Sequence, residues 1–168
     1  MTAPRSRLAR GGATNGRGFA FVAVLSFGVV AAALVSQHAF AMEPCPWCVL
    51  QRLIFVAIGV FAVLGLVWRG PAGSRVAGTF ALVLAVAGLA AALWQHFVAA
   101  KSASCNLTLA DRVMSASQLD RLLPDVFEAR ASCADAAVNL LGIPYAMWSA
   151  LAFVACAVVL VRILGRSG

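Results

Sequence analysis

Residues 44–68 read PCPWCVLQRLIFVAIGVFAVLGLVW, and this stretch decides the fold. From Cys48 to Trp68 it runs for 21 residues with one charge, Arg52, near its start. A bilayer core of about 30 Å needs about 20 apolar residues at the helical rise. The run does not alternate in polarity, and in lipid only helices and closed barrels satisfy their own backbone groups, so it reads as a membrane helix. Residues 18–42, 76–100 and 143–161 have the same character. The 18–42 run is broken only by Ser26, Ser36, Gln37 and His38; the 76–100 run carries Gln95 and His96 near its end; the 143–161 run has no charge. Of 168 residues, 62% are hydrophobic and 11% charged, against about 25% charged in a soluble domain. That balance excludes a soluble enzyme, a disordered tail and a nucleic-acid-binding module. The expected fold is all-α: one membrane domain over residues 1–168, built as a four-transmembrane-helix bundle. No internal repeat or low-complexity tract divides it.

The net charge of +7 is explained by topology, because the basic residues lie between apolar runs and form no patch. Arg5, Arg7, Arg10 and Arg17 precede the first span, Arg69 and Arg75 lie between the second and third, and Arg162 and Arg166 follow the fourth. That side collects eight basic residues and no acidic one. The 42–47 loop has Glu43 and no cation, and the 101–142 loop has four basic residues against five acidic ones. By the positive-inside rule both termini are expected in the cytoplasm and both loops outside. Ala39-Phe40-Ala41 resembles a signal-peptidase site, but the apolar run before it exceeds the 7–15 residues of a signal core. Cleavage there would leave the sidedness of the other spans unchanged.

Four of the five cysteines fall on the outer side: Cys45 and Cys48 at the mouth of the second span, Cys105 and Cys133 in the long loop. In bacteria that is where disulfides persist. Two structural disulfides or a zinc site are the plain alternatives. Zinc favours two close pairs, whereas 105 and 133 are far apart in sequence, and no metal is expected. A structural bridge closing so small a loop as 45–48 would add little chain-entropy stabilisation. A Cys-x-x-Cys at a helix start is instead the redox arrangement, since its sulfurs feel the helix N-terminus.

Arg52 lies four residues after Cys48, on the same helix face. A charge inside a span is costly, so unless it snorkels outward it serves the site, favouring a Cys48 thiolate and attracting an electron-rich ring or carbonyl. His96 lies about 6 Å below the outer end of its span by helix rise, at about the depth of Arg52, where it could hydrogen-bond a quinone carbonyl. Packing alone would also account for a lone histidine there. Gln37-His38 reaches the same layer with a weaker claim. Trp47, Trp94, Tyr145 and Trp148 read as an interfacial aromatic belt. Cys156, deep in the fourth span, reads as a small buried apolar residue. In the long loop, Leu119, Leu122, Leu123 and Val126 have helical spacing, but Pro124 breaks a long helix, so short helical turns on the membrane surface are expected.

Together these residues resemble the DsbB family, membrane thiol-disulfide oxidoreductases that reoxidise the periplasmic oxidant DsbA. The resemblance rests on Gln37-His38, Pro44-Cys45-Pro46-Trp47-Cys48, Arg52, His96, Cys105, Val126-Phe127, Cys133, Gly142 and Trp148, in order, and covers nearly the whole chain after about Gly18. It implies a multi-pass protein of the bacterial inner membrane with its cysteine loops facing the periplasm. It also implies a bound quinone, ubiquinone or menaquinone, and a DsbA-like soluble partner. Carried onto this chain, Cys105–Cys133 would be the pair attacked by the reduced partner, with Cys105 forming the mixed disulfide. Electrons would pass through a Cys45–Cys133 bridge to Cys45–Cys48, and Cys48 would reduce a quinone held near Arg52 and His96. The chemistry calls for such a sink: DsbA has a potential near −120 mV, and thiol exchange alone would stall or run backward.

Two alternatives compete. A vitamin K epoxide reductase-like enzyme also combines a small helical bundle, an outer Cys-x-x-Cys and a quinone. That family usually places its second pair between its first two spans, whereas here the second pair follows the third. A non-enzymatic membrane subunit with structural disulfides would hold no quinone.

Overall fold

The structure, a computed structural model, describes residues 5–68, 70–101 and 109–166, with side chains from residue 15 onward except that of residue 71. Four helices are long and apolar enough to cross a membrane: α1 (Arg5–Phe40, apolar from Asn15), α2 (Pro46–Val67), α3 (Pro71–Phe97) and α7 (Tyr145–Arg166). The all-α, four-helix architecture expected from the apolar runs is the one found. Between α3 and α7 come a 3-10 turn (Ala99–Lys101), then α4 (Leu109–Ser117), α5 (Leu119–Leu122), α6 (Pro124–Phe127), and the strands β1 (Asn139–Leu140) and β2 (Ile143–Pro144).

Local chemistry sets the helix ends. Pro46 and Pro71 sit in the first turns of α2 and α3, where a missing N–H costs nothing and the fixed φ suits a helix. Ala41 takes a φ of 51° at the end of α1, and the Met42 N–H turns back to donate to the Ser36 carbonyl at 3.3 Å. The fourth long helix begins at Tyr145, later than the apolar run suggests. Proline disfavours helical geometry in the residue before it, and Ile143-Pro144 instead pairs antiparallel with Asn139-Leu140. The connecting Leu141 and Gly142 have φ of 56° and 80°, as a two-residue hairpin turn of the primed type requires.

Lipid is as apolar as leucine, so close packing, not exclusion of water, must hold such helices together. Helix α3 supplies the means. Its Ala77, Ala81, Ala85 and Ala92 are fully buried, and Gly88 continues their line directly beneath the Phe153 ring of α7. That ring stacks on Phe55 of α2 with centroids 3.9 Å apart. Phe19 and Val22 of α1 and Leu160 and Ile163 of α7 complete the core. In this ring of helices, α1 and α7 form the loosest of the adjacent pairings.

The long loop does form short helical turns. Gln118, at φ 54°, separates α4 from α5, and Pro124 opens α6. Met114, Phe127, Leu119 and Val126 pack on Val49 and Leu53 of α2, whereas Leu122 and Leu123 stay exposed. The loop therefore lies across the outer end of α2.

Candidate redox site

Cys45 is the N-cap of α2, and its sulfur accepts the Cys48 N–H at 3.3 Å. The Cys-x-x-Cys motif is thus also the capping motif. One of the unsatisfied N–H groups of the helix start finds its acceptor in the first cysteine, which fixes the second one turn inside. Both are free thiols with sulfurs 2.7 Å apart. The Cys45 thiol is pushed up from its ordinary value, first by the hydrogen bond with the Cys48 sulfur and next by burial.

One glutamine faces this pair and a second backs it. Gln95 of α3 directs its Nε2 at the Cys48 sulfur (3.1 Å) and the Cys45 sulfur (3.4 Å), and its Oε1 accepts from Gln51 Nε2. Arg52 does not snorkel. It is 6% exposed and donates to Gln37 Oε1 (2.7 Å), the Val126 carbonyl (3.0 Å) and the Ala33 carbonyl (3.5 Å). Gln37 in turn donates to the Asp125 carbonyl at 3.4 Å. Arg52 and Gln37 thereby hold the α6 segment of the loop onto the bundle.

The loop is fastened a second time beside the cysteines. The N–H groups of Arg130 and Ala131 both donate to the Pro44 carbonyl, at 3.0 and 3.2 Å. Just beyond, the Ser132 hydroxyl bonds Asp135 Oδ2 at 2.6 Å and receives the Asp135 N–H at 3.2 Å, forming the turn that carries Cys133. Cys133 is disulfide-bonded and fully buried, in one cluster with Cys45, Trp47, Leu50 and Ala99. Cys105 lies outside the described residues.

A cavity of about 500 Å³ opens on the other side of Cys48. Its polar end is made by Cys48, Gln51, Arg52 and Gln95, and Tyr145 stands beside them. Ser36, Glu43 and Ser149 also line it; the remaining lining is apolar and follows the α1–α7 seam, with Val29 and Phe21 on one wall and Ala152 and Ala155 on the other. The volume falls in the ordinary range for small-molecule sites, about 300–1,000 Å³.

The structure therefore brings together Cys45, Cys48, Arg52 and Cys133, and it places the histidines elsewhere. His96 is half-buried with its ring edge-on to Phe97, and it is not among the residues lining the cavity. His38 is exposed and bonds the Leu34 carbonyl at 2.9 Å within its own helix. In each Gln-His dipeptide the glutamine faces inward. The aromatic belt is also divided: Trp94 is exposed and Trp148 bonds the Leu140 carbonyl at 3.2 Å, but Trp47 is buried against the cysteines. Cys156 sits in the bundle core, 3.8 Å from the Ser26 hydroxyl.

The family model described as Disulfide bond formation protein DsbB matches residues 16–163, and the chain belongs to this family. Proteins called Disulfide bond formation protein B are similar along most of their length. The one from Ralstonia nicotianae is 35% identical over 151 residues, covering 85% of this chain and 89% of its own. Those from Cupriavidus metallidurans and Aromatoleum aromaticum are 32% and 33% identical, covering 78% and 83% of this chain and 81% and 86% of theirs. The family matched is the first of those weighed from the sequence. The chain is a membrane disulfide bond formation protein.

Proposed function

We propose that this chain oxidises a DsbA-like periplasmic thiol protein and delivers the electrons, through Cys105–Cys133 and then Cys45–Cys48, to a membrane quinone. The observation that carries the reading is the position of Cys48. On one side it adjoins Cys45, which shares a buried cluster with Cys133, and on the other it forms part of the polar end of an apolar cavity. A quinone has a ring with two carbonyls and an isoprenoid tail. This cavity offers a charged donor and a sulfur at one end and an apolar channel along the α1–α7 seam. The residues fit that class of ligand: Arg52 would hold a carbonyl, and Cys48 would face the ring.

The relay proceeds by thiolate exchange. A partner thiolate attacks Cys105, a partner–Cys105 bond forms, and Cys133 leaves as thiolate. Cys133 attacks Cys45, the Cys133–Cys45 bond forms, and Cys48 leaves with the electron pair of the broken Cys45–Cys48 bond. The partner's second thiol then attacks the mixed disulfide and the partner leaves as a disulfide, freeing Cys105. Cys105 attacks Cys133, which breaks the Cys133–Cys45 bond, restores Cys105–Cys133 and leaves Cys45 and Cys48 reduced, to close again when their two electrons are taken up. The quinone supplies the acceptor for the two electrons and two protons removed. The loop contacts to Pro44, Arg52 and Gln37 support the exchange, since they hold the Cys133 turn over Cys45.

The assay is quinone absorbance during incubation of the purified protein with a reduced DsbA-type substrate and a short-chain ubiquinone or menaquinone. Wild type should reduce one quinone per substrate disulfide formed. Cys105→Ser should form no mixed disulfide, and Cys48→Ser should form one but transfer nothing to quinone. Equal quinone reduction by Cys48→Ser and wild type would overturn the assignment.

A further inference from the structure

We propose that Gln51 and Gln95 form a positioning device that holds an amide N–H on the Cys48 sulfur and so raises the reduction potential of the Cys45–Cys48 pair. The inference rests on the reading of that pair as redox-active. Both glutamines are almost wholly buried, at 3% and 5% exposure, where an amide must be matched to partners of the right polarity. Gln95 has two ends, and the wrong one would set oxygen lone pairs against the sulfurs. Gln51 decides between them. Its Nε2 donates to Gln95 Oε1, which leaves the Gln95 NH₂ to face Cys48 and Cys45 at 3.1 and 3.4 Å.

Such a donor interacts unequally with the two redox states. A disulfide sulfur is a poor acceptor, whereas a thiolate is a strong, charged one, and charge-assisted hydrogen bonds are the strong kind. Opening the disulfide with an incoming thiolate forms one S–S bond, breaks the Cys45–Cys48 bond and leaves the electron pair on Cys48, 3.1 Å from the amide. The donor therefore stabilises the reduced pair and the leaving sulfur together. Arg52 lies on the same helix face, but its three recorded bonds go to Gln37, Val126 and Ala33. The amide is the donor aimed at the sulfur itself.

The test is redox titration of the full-length protein in dithiol buffers, without partner or quinone. Acid quenching, alkylation and peptide mass spectrometry read the two cysteine pairs separately. Gln95→Met keeps the length of the side chain and removes the N–H. It should favour the Cys45–Cys48 disulfide about tenfold, a midpoint lower by about 30 mV, and leave the Cys105–Cys133 midpoint unchanged. Gln51→Met, which leaves Gln95 in place but unheld, should shift the midpoint the same way by less, and the double variant should equal Gln95→Met alone. If Gln95→Met does not fold, Gln51→Met carries the test. An unmoved Cys45–Cys48 midpoint in the folded variant, or an equal shift at both pairs, would overturn the proposal. A shifted midpoint in a protein whose wild type reduces no quinone would instead overturn the proposed function and leave this inference standing.

Discussion

Arg52 shows how a buried charge is accommodated with no counter-ion among the described residues of its hydrogen-bond set. Its recorded acceptors are one amide oxygen and two backbone carbonyls, contributed by α1 and α6. Replacing it should therefore have two separable effects. Charged hydrogen bonds are worth about 1.5–3 kcal/mol, so Arg52→Met should raise the apparent quinone KM about 10–100-fold, at 1.4 kcal/mol per factor of ten. It should also free the Val126 carbonyl and make residues 124–131 more susceptible to added protease. Arg52→Lys should recover part of the quinone affinity, because a point charge replaces a planar array of donors. Unchanged KM and unchanged proteolysis in a folded Arg52→Met would refute both roles. Cys45, Cys48 and Arg52 are legible in the sequence because helical spacing alone relates them, whereas Cys133 joins them only through the fold. Gln95 was not singled out, although the signal was present. Positions 77, 81, 85, 88 and 92 of α3 are all alanine or glycine, and at about 3.6 residues per turn position 95 lies five whole turns beyond 77 and in line with it, whereas 96 lies off that line. Side-chain chemistry favours the histidine; helical phase favours the amide.

At the scale of elements, the four long helices could be read from apolar length, whereas their ends depended on contacts that composition does not report. Helix α7 starts at Tyr145, two residues into the apolar run, because Ile143-Pro144 is apolar enough to belong to a span yet is claimed by the hairpin turning at Leu141-Gly142. The helical spacing of Leu119, Leu122, Leu123 and Val126 was visible too, but Gln118 and Pro124 divide the segment so that only part of that face meets α2. Packing between spans gives a sharper test. A Cβ at Gly88 would fall on the Phe153 ring, which cannot yield because Phe55 stacks on its other face. Overpacking of this kind costs about 1–3 kcal/mol, so Gly88→Ala should lower the thermal midpoint in detergent. Gly28→Ala, where a Cβ meets nothing within 4 Å, should leave it unchanged or slightly raised. Equal midpoints for the two variants would show that the α3–α7 contact is looser than its geometry indicates.

For the molecule as a whole, the proposed relay requires Cys45, Cys48, Cys105 and Cys133 on the side where the partner arrives, and charge is what is expected to assign that side. Eight basic residues and no acidic ones border the ends of the spans opposite the cysteines, whereas the 42–47 and 101–142 loops together hold four basic and six acidic residues. The basic ends resist translocation, and near-neutral loops of this length cross readily. The bundle adds a constraint of its own. Pro44 receives the backbone of Arg130 and Ala131, and Val126 receives Arg52, so the two loops dock on each other and must share one face of the membrane. A single orientation therefore fixes Cys45, Cys48 and Cys133 at once. In a background with the five native cysteines replaced, a cysteine introduced at Ser115 in α4 should react with an impermeant maleimide in intact cells. One introduced at Ser6 should react only after the membrane is opened. Labelling of Ser6→Cys in intact cells would invert the orientation and place the relay where a periplasmic partner could not reach it. Moving charge should move the outcome: Arg5, Arg7, Arg10 and Arg17 all changed to Asn, with Lys-Lys inserted after Glu43, should yield a labelled fraction at Ser6→Cys and a matching loss at Ser115→Cys. If the two positions did not change together, the loops would not be docked as a unit.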